Sequence, residues 1–312
     1  MSQPDPFSTS PVLLGGDNRS GTTLLSIVLD SHLDLVAGPE IDFLEPPNLG
    51  PHILGAIDLL AADSRLMGAS KNTIDPFWYD GTHFVVQCRR FGLDFDDVRE
   101  LIGKVMVVTG NDIVSFADRC HLINEIGELR RTRSGAQRWG LKLQRKITRI
   151  DDFARLWPRA HFVHIVRDGR DVAASHLRTV PDWGYRTIAD AAQGWAEVVS
   201  RPHGIAPPGR YLEVRYEDLV SSPRSTLAAI LDHLGLPWDE AVLRHAEYEH
   251  ALFEQPHDHP AAEAAGKPLH QGRIGRHVQD LTPAQILEFE EIAGSELARL
   301  GYLSTSTPSG DA

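Results

Sequence analysis

The most chemically informative stretch of the chain begins at Leu14 and reads LGGDNRSGTTLL. Gly16 and Gly21 stand five positions apart and two threonines follow, which gives the pattern GxxxxGTT. This is the outline of a phosphate-binding loop, whose backbone N–H groups surround a phosphate. Thr22 stands where an ATP-binding loop carries the lysine that reaches the β- and γ-phosphates, and the cation lies inside the loop instead, at Arg19. The loop therefore predicts a grip on a phosphate-like group that differs from that of an ATPase.

The residues on either side of this loop support the same prediction. Val12, Leu13 and Leu14 read as a short buried strand, and residues 23–29 read as the first turns of a helix. The N-terminus of a helix after such a loop favours anions, because its free N–H groups and the helix dipole both point at the ligand. A plain glycine-rich turn is the alternative, and the apolar elements on both sides disfavour it.

A second stretch, HFVHIVRDGRDVAAS, begins at His161. Residues 161–166 are apolar and β-branched enough to predict a buried strand, with a helix from about Val172. Arg167 follows that strand directly, where ligands bind in open α/β sheets, and Ser175 lies about one turn into the helix. A guanidinium and a hydroxyl that converge there suit a second phosphate. The alternative is a structural ion pair between Arg167 and Asp168 or Asp171.

The two motifs together resemble the sulfotransferases that use 3′-phosphoadenosine 5′-phosphosulfate (PAPS). In that family the first loop holds the 5′-phosphosulfate, and an arginine and a serine hold the 3′-phosphate. By position, the second site corresponds to Arg167 and Ser175, and the first corresponds to Arg19, Ser20, Gly21, Thr22 and Thr23.

Three further stretches strengthen the resemblance. Residues 211–219 are similar to a strand-to-helix segment of the family whose tyrosine, here Tyr216, lies near the nucleotide. Residues 268–282 include a match to the loop that closes over the nucleotide, which implies contacts from Gly272, Arg273 and Arg276. The sequence Gly-Pro-Glu that ends at Glu40 follows the first helix, as in the protein-tyrosine sulfotransferase branch, where a glutamate at this spacing is the catalytic base. Glu45 is a rival for that role.

The chain also departs from the cytosolic branch of the family. That branch carries Lys-x-His at the end of a central strand, with the histidine as base, whereas this chain has Lys142 followed by Gln144 in the histidine's place. The resemblance implies that Lys142 reaches the bridging oxygen of the donor. Residues 270–272 read His-Gln-Gly instead of the usual Arg-Lys-Gly, so Arg273 or Arg276 is expected to substitute.

The length of 312 residues is enough for one large α/β domain with a full core. The alternation of strands and helices predicts a P-loop-type parallel sheet flanked by helices, forming one domain over residues 11–303. Residues 46–137 match nothing in the resemblance and are expected to form a helical cap on the acceptor side, beginning with loops and short helices to about residue 90. Residues 1–10 and 304–312 are expected to be disordered tails.

Charge and composition restrict the partners. The formal net charge of −12 argues against a nucleic-acid partner. With only Cys88 and Cys120 and no apolar stretch long enough to span a bilayer, we expect a cytoplasmic protein without membrane contact. Eukaryotic protein-tyrosine sulfotransferases, in contrast, are membrane-anchored. The sequence does not indicate the oligomeric state.

The sequence thus predicts a metal-independent sulfotransferase that moves a sulfuryl group from PAPS to a hydroxyl or amine, releasing 3′,5′-adenosine bisphosphate (PAP). The acceptor is expected to be a small molecule or a peptide. Arg19, Lys142 and Glu40 would be its catalytic residues. A small-molecule kinase or other NTPase with a degenerate loop, or a non-catalytic nucleotide-binding module, remains the alternative.

Overall fold

The computed structural model describes residues 5–179, 184–251 and 264–303. The strands within these residues are β1 (Val12–Gly15), β2 (Leu35–Ala37), β3 (Arg138–Gln144), β4 (His161–Val166) and β5 (Tyr211–Arg215). They pair in parallel in the order β2-β3-β1-β4-β5. Strand β1 lies between β3 and β4, so the strand order reverses beside it. A crevice for ligands is expected at the carboxyl end of the sheet at such a point.

Helices flank this sheet. The first half of the chain contributes α1 (Thr22–Asp30), α2 (Pro51–Ala62), α3 (Pro76–Arg90), α4 (Phe95–Thr109), α5 (Phe116–Ser134) and α6 (Ile150–Leu156). The second half contributes α7 (Gly169–Thr179), α8 (Ile188–Ile205), α9 (Tyr216–Ser221), α10 (Pro223–Leu234), α11 (His277–Asp280) and α12 (Pro283–Arg299). Short 3-10 helices occupy Ser64–Leu66, Arg145–Arg149 and Glu240–Glu247. The α/β fold with a parallel sheet that the sequence predicts is confirmed.

The core is divided by the sheet, because successive side chains of a strand point to opposite faces. Leu13 and Leu141 pack with the apolar residues of α2 to α6 on one face. Val12 and Leu14 pack with α1 and α10 on the other face. The sheet is thus buried on both sides, as an all-parallel sheet requires, and its carboxyl edge is left to form the site.

Residues 46–90 differ from the expected loops and short helices. They form the 12-residue helix α2 and the 15-residue helix α3. Each begins with a proline at its first position, which fixes φ where an N–H bond is not needed. Helix α2 then buries residues at helical spacing: Ile53, Ala56, Ile57 and Leu60. The prolines that suggested loops are helix starts.

The N-terminal tail also has defined contacts where it is described. Phe7 packs edge-on against Trp157, with ring centroids 5.6 Å apart, and the Thr9 hydroxyl donates to Asn124. Residues 5–10 therefore have fixed partners instead of the expected disorder. The remaining predicted tails, residues 1–4 and 304–312, lie outside the described residues.

Candidate functional site

A cavity of ~550 Å³ opens at the carboxyl end of the sheet. Ten of the residues singled out from the sequence line it, namely Arg19, Gly21, Thr22, Thr23, Glu40, Lys142, Arg167, Ser175, Tyr216 and Arg273. Three others are not among its lining residues: Ser20, Gly272 and Arg276. The fold therefore brings most of the predicted residues into one cavity, although they come from distant parts of the sequence.

The loop between β1 and α1 has the backbone geometry of an anion cradle. Arg19 has a φ of 71° and Gly21 a φ of 101°, both in the left-handed region. A Cβ on Gly21 would lie 2.7 Å from the Tyr216 ring, so glycine is required for this close approach. Gly21 is the N-cap of α1 and has no side chain to bond the first N–H groups of the helix, which remain available to a ligand. The buried Ser20 hydroxyl has no hydrogen-bond partner among the described residues, so the loop fits a phosphate-like group.

Asp17 supports this loop through hydrogen bonds, a role that the sequence did not reveal. Its side chain is buried, and its two carboxylate oxygens accept hydrogen bonds from Arg145 and from the Tyr185 hydroxyl, both at 2.8 Å. Its backbone carbonyl accepts from Ser20 N–H at 3.1 Å. Burial raises the pKa of Asp17 to about 6, although Arg145 opposes the shift.

Three arginines lie close together in the cavity: Arg19, Arg167 and Arg273. The Arg19 Nε donates to the Ser175 hydroxyl at 3.0 Å, and Arg167 and Arg273 lie close enough to act on Arg19 electrostatically. Burial lowers the pKa of Arg19, and the charges of Arg273 and Arg167 lower it further. A cluster of mutually repelling, partly desolvated cations is stabilised by an anion, so this end of the cavity suits a polyanionic ligand.

Arg167 is held from several directions. It donates to the Arg19 carbonyl at 3.1 Å, to Asp171 at 3.2 Å and to the Arg273 carbonyl, and its guanidinium lies 4.8 Å from the centre of the Tyr216 ring. The ion pair with Asp171 that the sequence left open is therefore present. The Arg167 Nε has no hydrogen-bond partner among the described residues. The Arg167 side chain thus links the backbone at Arg19 to the backbone at Arg273, and it also lines the cavity.

Asp171 organises the loop that follows residue 264, and the sequence offered it only as a partner of Arg167. Its carboxylate accepts from Gly275 N–H at 2.9 Å, and from the backbone N–H and ring Nδ1 of His277 at 2.9 and 2.7 Å. Burial raises the pKa of Asp171, but the bonds from His277 and the charge of Arg167 outweigh it, so the pKa lies below its usual value. A carboxylate at Asp171 thus fixes the loop that brings Arg273 into the cavity.

The other arginine of this loop points elsewhere. The Arg276 guanidinium pairs with Asp280 at 3.1 Å, one helical turn further on, and Gly272 is exposed. The geometry favours Arg273 over Arg276 as the substitute for the missing basic residues of the loop.

Glu40 and Lys142 line another part of the same cavity, and Lys142 lies beside the phosphate loop. Three hydrogen bonds fix the segment before Glu40. Lys142 N–H donates to the Pro39 carbonyl at 3.4 Å, Gly38 N–H donates to the Gly140 carbonyl at 2.9 Å, and the Ser26 hydroxyl donates to the Gly38 carbonyl at 2.8 Å. Burial raises the pKa of Glu40 and Asp42 adds to the shift, while Lys142 and Lys146 act against it. A carboxylate with a raised pKa in a cleft is a candidate general base.

Lys142 faces the phosphate loop. Its ammonium donates to the Thr23 hydroxyl at 3.2 Å. Burial lowers the pKa of Lys142, although the negative charge of Glu40 acts to raise it. The end of β3 is irregular here, because the register of β1 against β3 shifts between Leu14 and Gly15. Gln144 adopts a φ of 48°, an uncommon conformation for a residue with a side chain, and its carbonyl accepts from Gly16 N–H at 3.2 Å. Strained backbone of this kind clusters at functional sites.

Helix α3 belongs to the segment 46–137 that was expected on the acceptor side, but the sequence did not single out the residues of this helix that line the cavity. Tyr79, His83, Gln87 and Arg90 all line the cavity. The His83 Nδ1 lies 3.2 Å from Asp42, and its Nε2 lies 3.1 Å from the amide nitrogen of Gln87. Their spacing of 4, 4 and 3 positions is that of one helix face, and this periodic polar face is the signal that could have revealed them.

A parallel sheet with a phosphate loop after its central strand, and an arginine cluster in one cavity with Glu40 and Lys142, suits an enzyme that binds a polyanionic nucleotide. The sulfotransferase family model matches residues 11–240 of the chain, and the chain belongs to this family. It is accordingly a transferase that takes its sulfuryl group from PAPS, as the sequence predicted.

Named relatives agree with the family assignment, and a solved structure shares the fold. The chain is 22% identical over 304 residues to protein-tyrosine sulfotransferase 1 of Danio rerio, covering 95% of this chain and 73% of that protein. It is 23% identical over 309 residues to protein-tyrosine sulfotransferase 2 of Gallus gallus, covering 95% and 70%. The sulfotransferase domain of the Synechococcus PCC 7002 olefin synthase superposes with a TM-score of 0.60 at 21% identity, covering 95% of this chain and 98% of that one, and shows the shared fold.

The prediction of a cytoplasmic location is wrong. The relatives above are protein-tyrosine sulfotransferases, the branch whose eukaryotic members are membrane-anchored. Among the described residues, no helix combines the length and the apolar character needed to cross a bilayer.

Proposed function

We propose that the cavity binds PAPS at its arginine end and the acceptor at its Glu40 end, with sulfuryl transfer between the two. The single observation that carries this proposal is the shared cavity, which joins the loop around Arg19 to Glu40 and Lys142. The acceptor is a small molecule or a peptide with a hydroxyl or amine.

Binding of the donor uses both halves of the arginine end. The N–H groups of residues 21–23, the hydroxyl of Ser20 and the side chain of Arg19 hold the 5′-phosphosulfate. Arg167, Ser175 and Arg273 hold the 3′-phosphate. A nucleotide without that phosphate cannot make these contacts. The Tyr216 ring, whose centre lies 4.8 Å from the Arg167 guanidinium, forms the cavity wall between the sites of the two phosphates.

Transfer then needs positioning and charge stabilisation more than covalent help from the protein. Glu40 takes the proton of the acceptor as the acceptor atom forms its bond to sulfur. The bond between that sulfur and the 5′-phosphate oxygen breaks, and its electron pair stays on PAP. Arg19, Lys142 and the loop N–H groups stabilise the charge that develops on this oxygen. Because these cations supply the positive charge, we propose that the reaction needs no divalent metal.

The walls of the acceptor end come from helix α3 and from the loop after β2. Apart from Pro39, their cavity-lining side chains are polar or charged: Glu40, Asp42, Glu45, Tyr79, Asp80, His83, Gln87 and Arg90. We propose on this basis that residues 46–137 form the acceptor-side part of a single domain over residues 11–303. The relatives' names place tyrosine peptides first among the acceptors to be tested.

Calorimetry with PAP, ATP and ADP, each with and without Mg²⁺, followed by an assay of ³⁵S transfer from PAPS, tests the proposal. We expect PAP to bind most tightly, without Mg²⁺, and label to pass to a tyrosine peptide or a small hydroxyl compound. Tight binding of ATP that requires Mg²⁺, with no ³⁵S transfer, would instead indicate the kinase alternative.

A further inference from the structure

A lysine that does not line the cavity forms ion pairs with three carboxylates that do. The Lys146 ammonium lies 2.7 Å from Asp42, 3.3 Å from Glu40 and 3.5 Å from Glu45. All three carboxylates line the cavity, whereas Lys146 is not among the lining residues that the structure describes. Its side chain is 15% exposed, so these ion pairs are largely shielded from solvent.

The local fold explains this placement. Lys146 belongs to the 3-10 helix Arg145–Arg149, which begins directly after β3, the strand that carries Lys142. The strained residue Gln144 turns the chain between the two lysines. Lys142 therefore faces the phosphate loop through Thr23, and Lys146 faces the carboxylates.

We propose that Lys146 is a positioning residue, which holds the Glu40 carboxylate in place and keeps it ionised so that it can accept the proton of the acceptor. This inference rests on the proposed role of Glu40 as the base.

The charges around Glu40 give the direction of the effect. Asp42 and Glu45 come from the same loop, Lys142 from the end of β3, and His83 and Arg90 from α3. Burial and Asp42 already raise the pKa of Glu40. Without Lys146, Glu40 would stand beside two carboxylates with Lys142 as its main counter-charge, and it would take up a proton more readily.

The effect of Asp42 has the opposite sign. His83 lies 3.2 Å from one carboxylate oxygen of Asp42 and Lys146 lies 2.7 Å from the other, and these two partners hold the pKa of Asp42 well below its usual value despite its burial. Asp42 is thus a permanent negative neighbour of Glu40. Replacing it with asparagine removes that repulsion and should lower the pKa of Glu40.

The test is the pH profile of kcat/KM for ³⁵S transfer in the full chain. An opposite charge within about 4–6 Å shifts a carboxyl pKa by about 1–3 units, so Lys146→Met should move the acidic limb upward by about 1–3 pH units. Lys146→Arg, which retains the charge, should restore most of the original profile. Asp42→Asn should move the limb downward. A lysine with a merely structural role would lower activity equally at every pH.

Two measurements separate the possible failures. PAP affinity by calorimetry, expected within about twofold of the parent, reports whether each variant is folded, because the described ion pairs of Lys146 are with Glu40, Asp42 and Glu45 and not with the arginine cluster. If Lys146→Met does not fold, Lys146→Arg and Asp42→Asn still decide the matter, and an Asp42→Asn profile that moves upward or stays in place overturns the inference.

Two further variants locate the acidic limb itself. Glu40→Gln should be nearly inactive at every pH; if it is active, the proposed base is wrong. A folded Lys146→Met enzyme with an unmoved acidic limb, beside an inactive Glu40→Gln enzyme, refutes the role of Lys146 alone. Loss of the acidic limb in His83→Gln would assign that limb to the imidazole and also overturn the inference.

Discussion

Truncation of Arg167 is the sharpest test of the proposed donor site. Its guanidinium lines the cavity, and its Nε has no partner among the described residues. A hydrogen bond between charged groups contributes roughly 1.5–3 kcal/mol, so Arg167→Ala should weaken PAP binding about 10- to 150-fold. Some of the loss will come from the structure itself, because Arg167 also bonds to the carbonyls of Arg19 and Arg273.

Comparison of two nucleotides separates these contributions. Adenosine 5′-phosphosulfate has no 3′-phosphate, so Arg167→Ala should weaken its binding much less than that of PAP. Calorimetric titration of both nucleotides gives the ratio directly. Ser175→Ala is the milder companion variant, since it removes one hydrogen bond to the same phosphate, worth about 0.5–1.5 kcal/mol, or roughly 2- to 12-fold. If Arg167→Ala weakens both nucleotides equally, Arg167 is structural and the 3′-phosphate site lies elsewhere.

Four other outcomes are expected. Glu40→Gln should lower kcat by roughly 10²–10⁴-fold with little change in PAP affinity; more than about a tenth of the activity remaining would move the base to Glu45 or a histidine. EDTA should leave turnover within about twofold, and abolition with rescue by Mg²⁺ would contradict a metal-independent reaction. Arg276→Ala should leave PAP affinity within about twofold, because its guanidinium pairs with Asp280; a tenfold loss would place it at the nucleotide. Asp17, with a pKa of about 6, binds its proton more tightly in the folded state than in the unfolded chain. From pH 5 to 7.5 the parent should therefore lose about 1–2 kcal/mol of its free energy of unfolding, measured in urea, whereas Asp17→Asn should not lose it. Parallel curves of unfolding free energy against pH for the two proteins would contradict this.

Local sequence patterns predicted the sheet-forming elements well. Residues 161–166 form β4 with the expected bounds, and the expected strand at residues 12–14 forms β1, which extends to Gly15. Thr282 caps α12, since its hydroxyl accepts from Gln285 N–H. These elements depend on apolar periodicity and on caps, which involve neighbouring residues and are therefore visible in a single sequence.

The supports of the site were not predictable in the same way. Asp171 binds residues more than 100 positions further along the chain, and Asp17 binds Tyr185. Nothing in the local sequence of an aspartate distinguishes such a support from a solvated carboxylate. Only the fold, which closes these long loops, creates the contact.

The same distinction explains why Lys146 escaped the sequence while Lys142 did not. Lys142 ends a predicted strand and matches a lysine of the family, so its position carries information by itself. Lys146 acquires its surroundings only because the turn at Gln144 directs it toward the loop of Glu40, Asp42 and Glu45. The charge state of the proposed base is thus set by a residue whose importance lies in the path of the backbone. A motif can identify the group that meets the substrate, but the groups that control its proton affinity must be located in the three-dimensional structure.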